Sequence, residues 1–302
     1  METKIKNTKV LVTGGNGFLG KKIIKVFADA GAEVLGTSRK PAEGMVKMEM
    51  LDTESIATAV EKAGAEIVIH TAANKDNDFC EGNKERARAI NVEGTRKLAQ
   101  ECKKRGAKMV YISTEYVFDG KKEREYSEGD EISPVNYYGE TKAAGERAVL
   151  EELPDALIVR PGILYGFNNV HDETNFVWWA LDEMRQGRAV KGFTDQVFCP
   201  VLIDDVSTAI LALLKKDKSG IYHVTGGECL TRYEFLVKGA EVFGFDPALV
   251  QRSTWAESGK VADKPSKLIL SIEKLRAEGI ETRGVSAGFG AMKDQLPISW
   301  FG

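Results

Sequence analysis

The segment Thr13-Gly14-Gly15-Asn16-Gly17-Phe18-Leu19-Gly20 carries glycine at positions 14, 17 and 20. It follows Val10-Leu11-Val12, an apolar run that is typical of a strand buried inside a parallel sheet, and it opens an amphipathic helical pattern. Glycine at this spacing allows a tight turn, a close approach of the backbone to a pyrophosphate, and close helix–sheet packing. The segment therefore predicts a dinucleotide-binding turn at a helix N-terminus. The contacts that we assign to it are Gly14, Asn16, Gly17, Phe18, Leu19 and Gly20.

Beyond this turn, apolar runs of strand length alternate with helical patterns through the first half of the chain. The runs are Val34-Leu35, Ile67-Val68-Ile69, Met109-Val110-Tyr111-Ile112 and Leu157-Ile158-Val159. This alternation predicts right-handed βαβ units and an α/β fold with a doubly wound parallel sheet of the Rossmann type. The regularity loosens after Pro161. We therefore expect an NAD(P)-binding domain over residues 1–165, to which 201–225 return, and a smaller substrate-binding lobe built from 166–200 and 226–302.

Composition and charge argue against several classes of protein. Of 302 residues, 42 are Lys or Arg and 45 are Asp or Glu, so the net charge of −3 lacks the basic excess of a nucleic-acid or anionic-membrane binder. The longest purely apolar runs, such as Ala209 to Leu214, are far short of the ~20 residues that span a bilayer, and the first residues lack the apolar core of a signal peptide. The four cysteines, which are far apart and form no C-x-x-C pair, are Cys80, Cys102, Cys199 and Cys229. We therefore expect a cytoplasmic protein without a membrane segment, a disulfide framework or a metal site.

The end of the second predicted strand indicates which dinucleotide fits. Sites that prefer NAD place an acid there for the ribose 2′-hydroxyl, whereas NADP sites supply an arginine for the 2′-phosphate. This chain reads Thr37-Ser38-Arg39-Lys40, with hydroxyls and cations and no acid. We therefore predict NADPH, with NADH as the alternative, and contacts from Ser38 and Arg39; the plainer interpretation is that the cations only solvate a loop. Asp52 is either an adenine contact or a helix N-cap.

Tyr138 and Lys142 lie four residues apart, which on a helix puts both on one face. A free tyrosine, with a pKa of ~10, is a poor proton donor at neutral pH. An ammonium group ~4–5 Å away is expected to lower that pKa to ~7, so that Tyr138 can protonate an oxygen as hydride reaches its carbon. The pair follows Thr114 by 24 residues, and Thr114 follows a predicted strand end, where doubly wound sheets bind ligands. Ser113 or Thr114 can therefore meet Tyr138 and hydrogen-bond a substrate carbonyl.

Several further segments resemble one enzyme family. His70-Thr71-Ala72-Ala73 and the Y-x-x-x-K pair are similar to those of the extended short-chain dehydrogenases/reductases. Within that family, the segments STEYVFDG, from Ser113, and YGETKAAGE, from Tyr138, resemble the dTDP-4-dehydrorhamnose reductase group. Similar segments such as Arg160-Pro161 extend the resemblance through nearly the whole chain.

The resemblance implies reduction of the 4-keto group of a nucleotide-linked 6-deoxysugar with NAD(P)H, so that a nucleotide sugar is the expected partner. It implies a catalytic trio of Thr114, Tyr138 and Lys142. The residues that it assigns to ligands are Ala72, Ala73, Tyr138 and Lys142 for the cofactor and Glu115, Tyr116 and Phe118 for the substrate. A homodimer is one option for the assembly.

Some positions depart from the family pattern. Glu115 stands where the family usually has aspartate, and Lys264-Pro265 with Ser271 stands where the family has R-P and an acid. These departures leave the hydride chemistry intact and the particular sugar open. Trp178-Trp179 either roofs the sugar pocket or packs within the fold.

Two other functions use the same parts. A sugar-nucleotide epimerase or 4,6-dehydratase holds NAD⁺ tightly, and Arg39 at the end of the second strand argues against it. A regulatory subunit of methionine adenosyltransferase has the same fold and resemblance, binds NADP and acts by docking to a partner. The motif residues can persist in such a subunit without turnover.

Overall fold

The computed structural model describes residues 5–40, 43–168, 176–259, 262–297 and 300. Its strands are β1 (Lys9–Thr13), β2 (Glu33–Ser38), β3 (Met45–Lys47), β4 (Ile67–His70), β5 (Lys108–Ile112), β6 (Leu157–Pro161), β7 (Leu164–Tyr165), β8 (Val190–Phe193), β9 (Val197–Phe198), β10 (Val201–Leu202), β11 (Gly220–Val224), β12 (Leu230–Thr231), β13 (Val250–Ser253) and β14 (Lys267–Leu268). Its α-helices are α1 (Phe18–Asp29), α2 (Thr53–Ala63), α3 (Asn77–Gly82), α4 (Lys84–Arg88), α5 (Thr95–Arg105), α6 (Tyr137–Glu152), α7 (Phe176–Arg185), α8 (Ile203–Lys215), α9 (Arg232–Phe243), α10 (Glu273–Ala277) and α11 (Val285–Lys293). None of the helices in these described ranges is both long enough and apolar enough to cross a membrane.

Seven of the described strands form one parallel sheet in the spatial order β11-β6-β5-β4-β1-β2-β3. β1 lies inside the sheet, with later strands added on both sides of it, which is the doubly wound arrangement. Alternate residues of a strand face opposite sides of the sheet. Val10 and Val12 share an apolar cluster with α1 and α8, whereas Leu11 shares another with α2 and α5. The prediction of an α/β fold with a doubly wound parallel sheet is confirmed.

A further apolar cluster lies outside the sheet. It draws on α7, α9 and α11 and is rich in aromatic rings, such as Phe235 and Phe289, whose centroids are 4.8 Å apart. Its segments fall largely in the ranges that the sequence suggests for a second lobe. Ile272, Leu275 and Ile280 lie in those ranges too, but they pack in the sheet cluster. The chain therefore returns to the sheet once more than the sequence indicates.

The expectation of no disulfide is wrong, because Cys199 and Cys229 are joined across 30 residues of sequence. Cys199 follows β9 and Cys229 precedes β12, and these two strands pair with each other. Strand pairing thus brings together two cysteines whose spacing along the chain carries no sign of it. Cys80 and Cys102 are free and buried.

Candidate active site

A cleft of about 830 Å³ opens at the carboxyl ends of the sheet strands. β1, β2, β4, β5 and β6 each end at or beside residues that line it, and the first residues of α7 and α9 add to the lining. Parallel strands end at the same edge of a sheet, which is why residues far apart in the sequence meet there.

The glycine turn forms one end of the cleft. Gly14 has a φ of +66°, and a Cβ on Gly20 would lie 2.3 Å from the carbonyl oxygen of Gly14. Neither position accepts a larger residue without strain. α1 begins at Phe18, directly after Gly17, so its N-terminus lies at this end of the cleft. The cleft-lining residues include all six that the sequence assigns to the turn: Gly14, Asn16, Gly17, Phe18, Leu19 and Gly20.

A buried histidine ties this turn to the neighbouring strand. His70 Nδ1 lies 2.7 Å from Thr13 Oγ1, and its Nε2 lies 3.0 Å from Thr95 Oγ1. Thr13 Oγ1 also accepts hydrogen bonds from the backbone N–H groups of Thr71 and Ala72, each at 3.2 Å. Burial lowers the pKa of His70 to about 3, so the ring is neutral at pH 7 and acts as a structural link.

The second strand meets the cleft differently from the prediction. Arg39, Ala72 and Ala73 line the cleft. Ser38 does not, since it is 2% exposed and its hydroxyl has no hydrogen-bond partner among the described residues. Side chains alternate along a strand, so Thr37 and Arg39 face the cleft while Ser38 faces away.

Asp52 is a helix cap and not a lining residue. Its carboxylate accepts hydrogen bonds from the backbone N–H groups of Glu54, at 3.0 Å, and Ser55, at 3.2 Å. The structure therefore supports the N-cap interpretation over the adenine contact. The acid that lines this part of the cleft is Glu49, beyond β3, which the sequence reasoning missed.

Thr114, Tyr138 and Lys142 come together in the cleft. The side chain of Asn136 caps α6 and so fixes the turn that carries Tyr138. The Thr114 side chain lies close enough to Tyr138 to act on its pKa. Lys142 Nζ donates to the carbonyl oxygen of Ile112 at 2.7 Å.

The electrostatics of this trio differ from the expectation. Burial raises the pKa of Tyr138 well above its usual value, and the neighbouring Thr114 only partly opposes this. Burial also lowers the pKa of Lys142 to about 7. The Lys142 ammonium group bonds to Ile112 and lies 4.0 Å from the centre of the Tyr111 ring, so it is directed at β5. The expected lowering of the Tyr138 pKa is therefore absent from this arrangement.

Two neighbours of Thr114 support the fold. Ser113 donates its hydroxyl hydrogen to Glu146 Oε1 at 2.5 Å, which leaves Thr114 as the hydroxyl beside Tyr138. Phe118, which the sequence assigns to the substrate, does not line the cleft. It is fully buried, with its ring stacked on Tyr126 at a centroid distance of 4.4 Å.

We call Glu115, Tyr116, Phe176, Arg232 and Lys264 the substrate wall, since they line the cleft around the trio. Glu115 is 2% exposed, and neither of its carboxylate oxygens has a hydrogen-bond partner among the described residues. Burial raises the pKa of Glu115 to about 8. Burial raises the pKa of Tyr116, and the neighbouring Arg232 cation partly opposes this. The wall thus combines two cations with an acid that is largely protonated at neutral pH.

Arg232 and Lys264 are two charged residues of the wall that the sequence reasoning did not assign to the cleft. The Arg232 guanidinium lies 5.0 Å from the centre of the Phe176 ring, and its Nε has no partner among the described residues. Lys264 Nζ lies 4.4 Å from the centre of a Trp255 ring. Lys264 was visible as a departure from the family pattern, but no local pattern marks Arg232.

The tryptophan pair of α7 does not roof the cleft. Trp178 is buried in the aromatic cluster, where its ring lies 5.3 Å from that of Phe167. Trp179 is 53% exposed. α7 contributes Phe176 to the cleft instead.

Comparisons of the sequence and of the fold with known proteins find one family and several similar proteins. The family described as RmlD substrate binding domain matches residues 8–296. A probable low-salt glycan biosynthesis reductase of Haloferax volcanii, Agl14, is 34% identical over 272 residues, which cover 88% of this chain and 91% of that protein. Methionine adenosyltransferase 2 subunit beta of Rattus norvegicus is 30% identical over 290 residues, which cover 93% of this chain and 86% of that protein. The crystal structure of a dTDP-4-dehydrorhamnose reductase from Bacillus anthracis in complex with NADP has a TM-score of 0.87 and 27% identity, and the match covers 96% of this chain and 100% of that one.

Proposed function

Because this chain belongs to the RmlD substrate-binding domain family, we propose that it is an NADPH-dependent reductase of a nucleotide-linked 4-keto-6-deoxysugar, of the dTDP-4-dehydrorhamnose reductase type. The observation that carries the proposal is the meeting of Thr114, Tyr138 and buried Lys142 in the same cleft as the glycine turn. A hydroxyl acid between a dinucleotide site and a polar wall suits transfer of hydride and a proton to one carbonyl.

The glycine turn fits the diphosphate of the cofactor. A Cβ at Gly20 would collide with the Gly14 carbonyl oxygen, so glycine lets the turn pack tightly against α1, and the N-terminus of α1 offers N–H groups and the positive end of the helix dipole. Arg39 lines the cleft where β2 ends and suits a 2′-phosphate. The NADP in the Bacillus anthracis enzyme supports the same choice. NADPH, when bound, supplies the hydride.

Tyr138 is the proton donor in the proposed reaction. Thr114 holds the carbonyl oxygen of the substrate, and Tyr138 gives its proton to that oxygen as the carbon accepts the hydride. Lys142, buried one helical turn from Tyr138, would hold the ribose of the nicotinamide through its N–H donors. Overall, the ketone, NADPH and one proton become a secondary alcohol and NADP⁺, and Tyr138 regains its proton from solvent.

The substrate wall suits a nucleotide diphosphate sugar. Arg232 and Lys264 are cations that face the cleft, and a diphosphate supplies the negative charge that matches them. The raised pKa of Glu115 keeps this acid largely protonated at neutral pH. A protonated carboxyl group both donates and accepts hydrogen bonds, which fits the hydroxyl groups of a sugar.

The test is loss of NADPH absorbance with enzymatically prepared dTDP-4-dehydrorhamnose, beside NADH. We expect Tyr138→Phe to lower turnover by roughly 10²–10⁴-fold, as for loss of a general acid, while NADPH affinity is kept. Tyr137→Phe is the matched control, because Tyr137 is adjacent in sequence but does not line the cleft. Equal turnover in the Tyr138→Phe and Tyr137→Phe variants would remove Tyr138 from its role. Absence of sugar-dependent NADPH loss with dTDP-4-dehydrorhamnose and with other nucleotide-linked 4-keto-6-deoxysugars would contradict the proposed activity.

A binding role without turnover is the second candidate. The match to methionine adenosyltransferase 2 subunit beta covers 93% of this chain, compared with 88% for the match to the glycan biosynthesis reductase. In this role the chain forms a complex with a methionine adenosyltransferase and holds NADPH without consuming it. A stable complex on size-exclusion chromatography, together with NADPH binding but no oxidation, would favour this role. Sugar-dependent NADPH oxidation would exclude it as the sole function.

A further inference from the structure

Lys264 of the substrate wall lies on a short stretch of chain, residues 262–265, that we call the Lys264 segment. The segment contains no helix or strand, so contacts with other elements fix its position. Lys264 Nζ lies 4.4 Å from the centre of a Trp255 ring and 6.0 Å from the centre of the Tyr116 ring. Tyr116 packs edge to face with Tyr138, with ring centroids 6.1 Å apart. The position of the segment therefore decides where its cation lies relative to Tyr138.

Two side chains from earlier parts of the chain hold this segment. Asp78 of α3 accepts a hydrogen bond at Oδ1 from the backbone N–H group of Ala262, at 3.0 Å. Asn136 Nδ2 donates to the carbonyl oxygen of Asp263 at 2.9 Å. Asp263 directly precedes Lys264 in the sequence. Asn136 therefore fixes the backbone next to the cation.

The same Asn136 amide group also caps α6. Its Oδ1 accepts a hydrogen bond at 2.9 Å from the backbone N–H group of Gly139, which directly follows Tyr138. Because a backbone N–H group only donates, this bond identifies the amide oxygen, and Nδ2 then faces the Asp263 carbonyl. Asn136 is 2% exposed and does not line the cleft. One buried amide thus joins the turn that carries Tyr138 to the segment that carries Lys264.

Capping alone does not account for asparagine at position 136. Asparagine, aspartate and serine are about equally good helix caps. An ionised aspartate has no donor, and a serine side chain is one bond shorter. Asparagine differs from both because it carries an acceptor and a donor on separate atoms, and Asn136 uses one on each side of the site.

We propose that Asn136 is a positioning residue that couples the two sides of the active site. Its oxygen sets the turn that carries Tyr138, and its amide N–H group holds the Lys264 segment so that the cation faces the nucleotide sugar. The benefit to the substrate rests on the proposed function. The link between Asn136 and the segment lies within the fold, needs no ligand and can be measured separately.

Hydrogen exchange tests this link in the full-length protein without substrate. Asn136→Ser and Asn136→Asp both keep a cap for α6 and lose the bond to Asp263. Amide exchange in the Lys264 segment, followed by mass spectrometry, should become about 2- to 12-fold faster, the range for loss of one neutral hydrogen bond. Exchange in α6 should keep its wild-type rate. Asn83→Asp is the matched control, because the Asn83 amide donates to the carbonyl oxygen of Phe79 at 3.1 Å, away from the cleft lining and the segment.

Turnover supplies a second measurement, which depends on the proposed reaction. Both Asn136 variants should raise the KM for the sugar nucleotide by about 2- to 12-fold and leave the Kd for NADPH unchanged. Lys264→Met removes the cation that the segment positions. If Asn136 acts through Lys264, Asn136→Ser should raise the KM little further in the Lys264→Met background, whereas independent effects would multiply.

Several outcomes would overturn the inference. One is wild-type exchange of the segment in both folded Asn136 variants, whether or not the protein reduces keto-sugars. Another is an effect of Asn136→Asp alone, which would assign the change to repulsion between the new carboxylate and the Asp263 carbonyl. Equal acceleration of exchange in α6 would reduce Asn136 to a helix cap. Faster exchange confined to the segment, without reduction of any keto-sugar, would support the link and contradict the proposed function instead.

Discussion

The two ends of the cleft are built in different ways. The dinucleotide end consists mainly of backbone, from the contiguous turn 14–20 and the segment 71–74 that follows β4. The substrate wall consists of side chains that come from four separate parts of the chain. Glycine dictates the first geometry locally, whereas the second exists only after distant segments have packed together. A local motif can therefore predict the dinucleotide end, and tertiary structure decides the substrate wall.

If backbone holds the cofactor, Gly20→Ala should have the largest effect at that end. The new Cβ would lie 2.3 Å from the Gly14 carbonyl oxygen, and a backbone atom cannot move aside as a flexible side chain does. Overpacking of this kind costs ~1–3 kcal/mol of folding free energy. The turn relieves the clash by shifting the backbone that would hold the diphosphate, so we expect a loss of up to the same size in binding, about 5- to 150-fold in the Kd for NADPH. Fluorescence titration with NADPH measures it. Gly290→Ala is the control, because a Cβ at that helical glycine meets nothing within 4 Å, and equal affinities in the two variants would mean that the cradle does not hold the cofactor.

If side chains hold the substrate, Arg232→Gln should weaken substrate binding at the substrate wall and leave cofactor binding unchanged. A hydrogen bond to a charged group contributes ~1.5–3 kcal/mol, so we expect the KM for the sugar nucleotide to rise about 10- to 150-fold, with an unchanged Kd for NADPH. Arg252→Gln is the matched control, since Arg252 lies over the Tyr233 ring at 4.4 Å and does not line the cleft. A comparable loss of NADPH affinity in Arg232→Gln would show that the two ends are not separate.

Arg39 provides a further test of the comparison, because it is a side chain at the dinucleotide end, which otherwise consists mainly of backbone. It is exposed, so its contact with a 2′-phosphate is partly screened by water and salt. We expect Arg39→Ala to reduce the preference for NADPH over NADH by about tenfold, equivalent to ~1.4 kcal/mol, as measured by the ratio of kcat/KM values. Lys40→Ala should leave the ratio unchanged, because Lys40 does not line the cleft. An equal change in both variants would assign the preference to general charge and not to Arg39.

The same contrast explains which site residues the sequence could predict. The glycine turn and the Tyr138 spacing are local patterns, and the residues that they mark do line the cleft. Three other residues that the sequence assigns to ligands do not line the cleft. Ser38 faces inward because side chains alternate along a strand, and Asp52 caps a helix. Phe118 packs in the core beneath the site. Arg232 reaches the cleft only through the packing of α9, so nothing near it in the sequence reveals it.

Spacing alone could not predict the charge state of the trio either. The four-residue separation of Tyr138 and Lys142 places both on one helical face, but it does not say where the ammonium group points. The carbonyl of Ile112 and the ring of Tyr111, both on β5, decide that direction. Burial then decides the pKa of both groups, and burial is a property of the whole fold.

The disulfide between Cys199 and Cys229 closes a loop that includes part of the parallel sheet. The chain between the two cysteines forms β10, α8 and β11, and β11 is the edge strand of the parallel sheet. The covalent ring thus begins beside β9, passes through the sheet layer and returns to β12. Closing a loop over a separation of 30 residues lowers the conformational entropy of the unfolded chain, equivalent to ~3–4 kcal/mol. Because the ring contains the edge strand of the sheet and closes beside β9 and β12, the bond keeps the ends of these two short strands together even when the hydrogen bonds between them open.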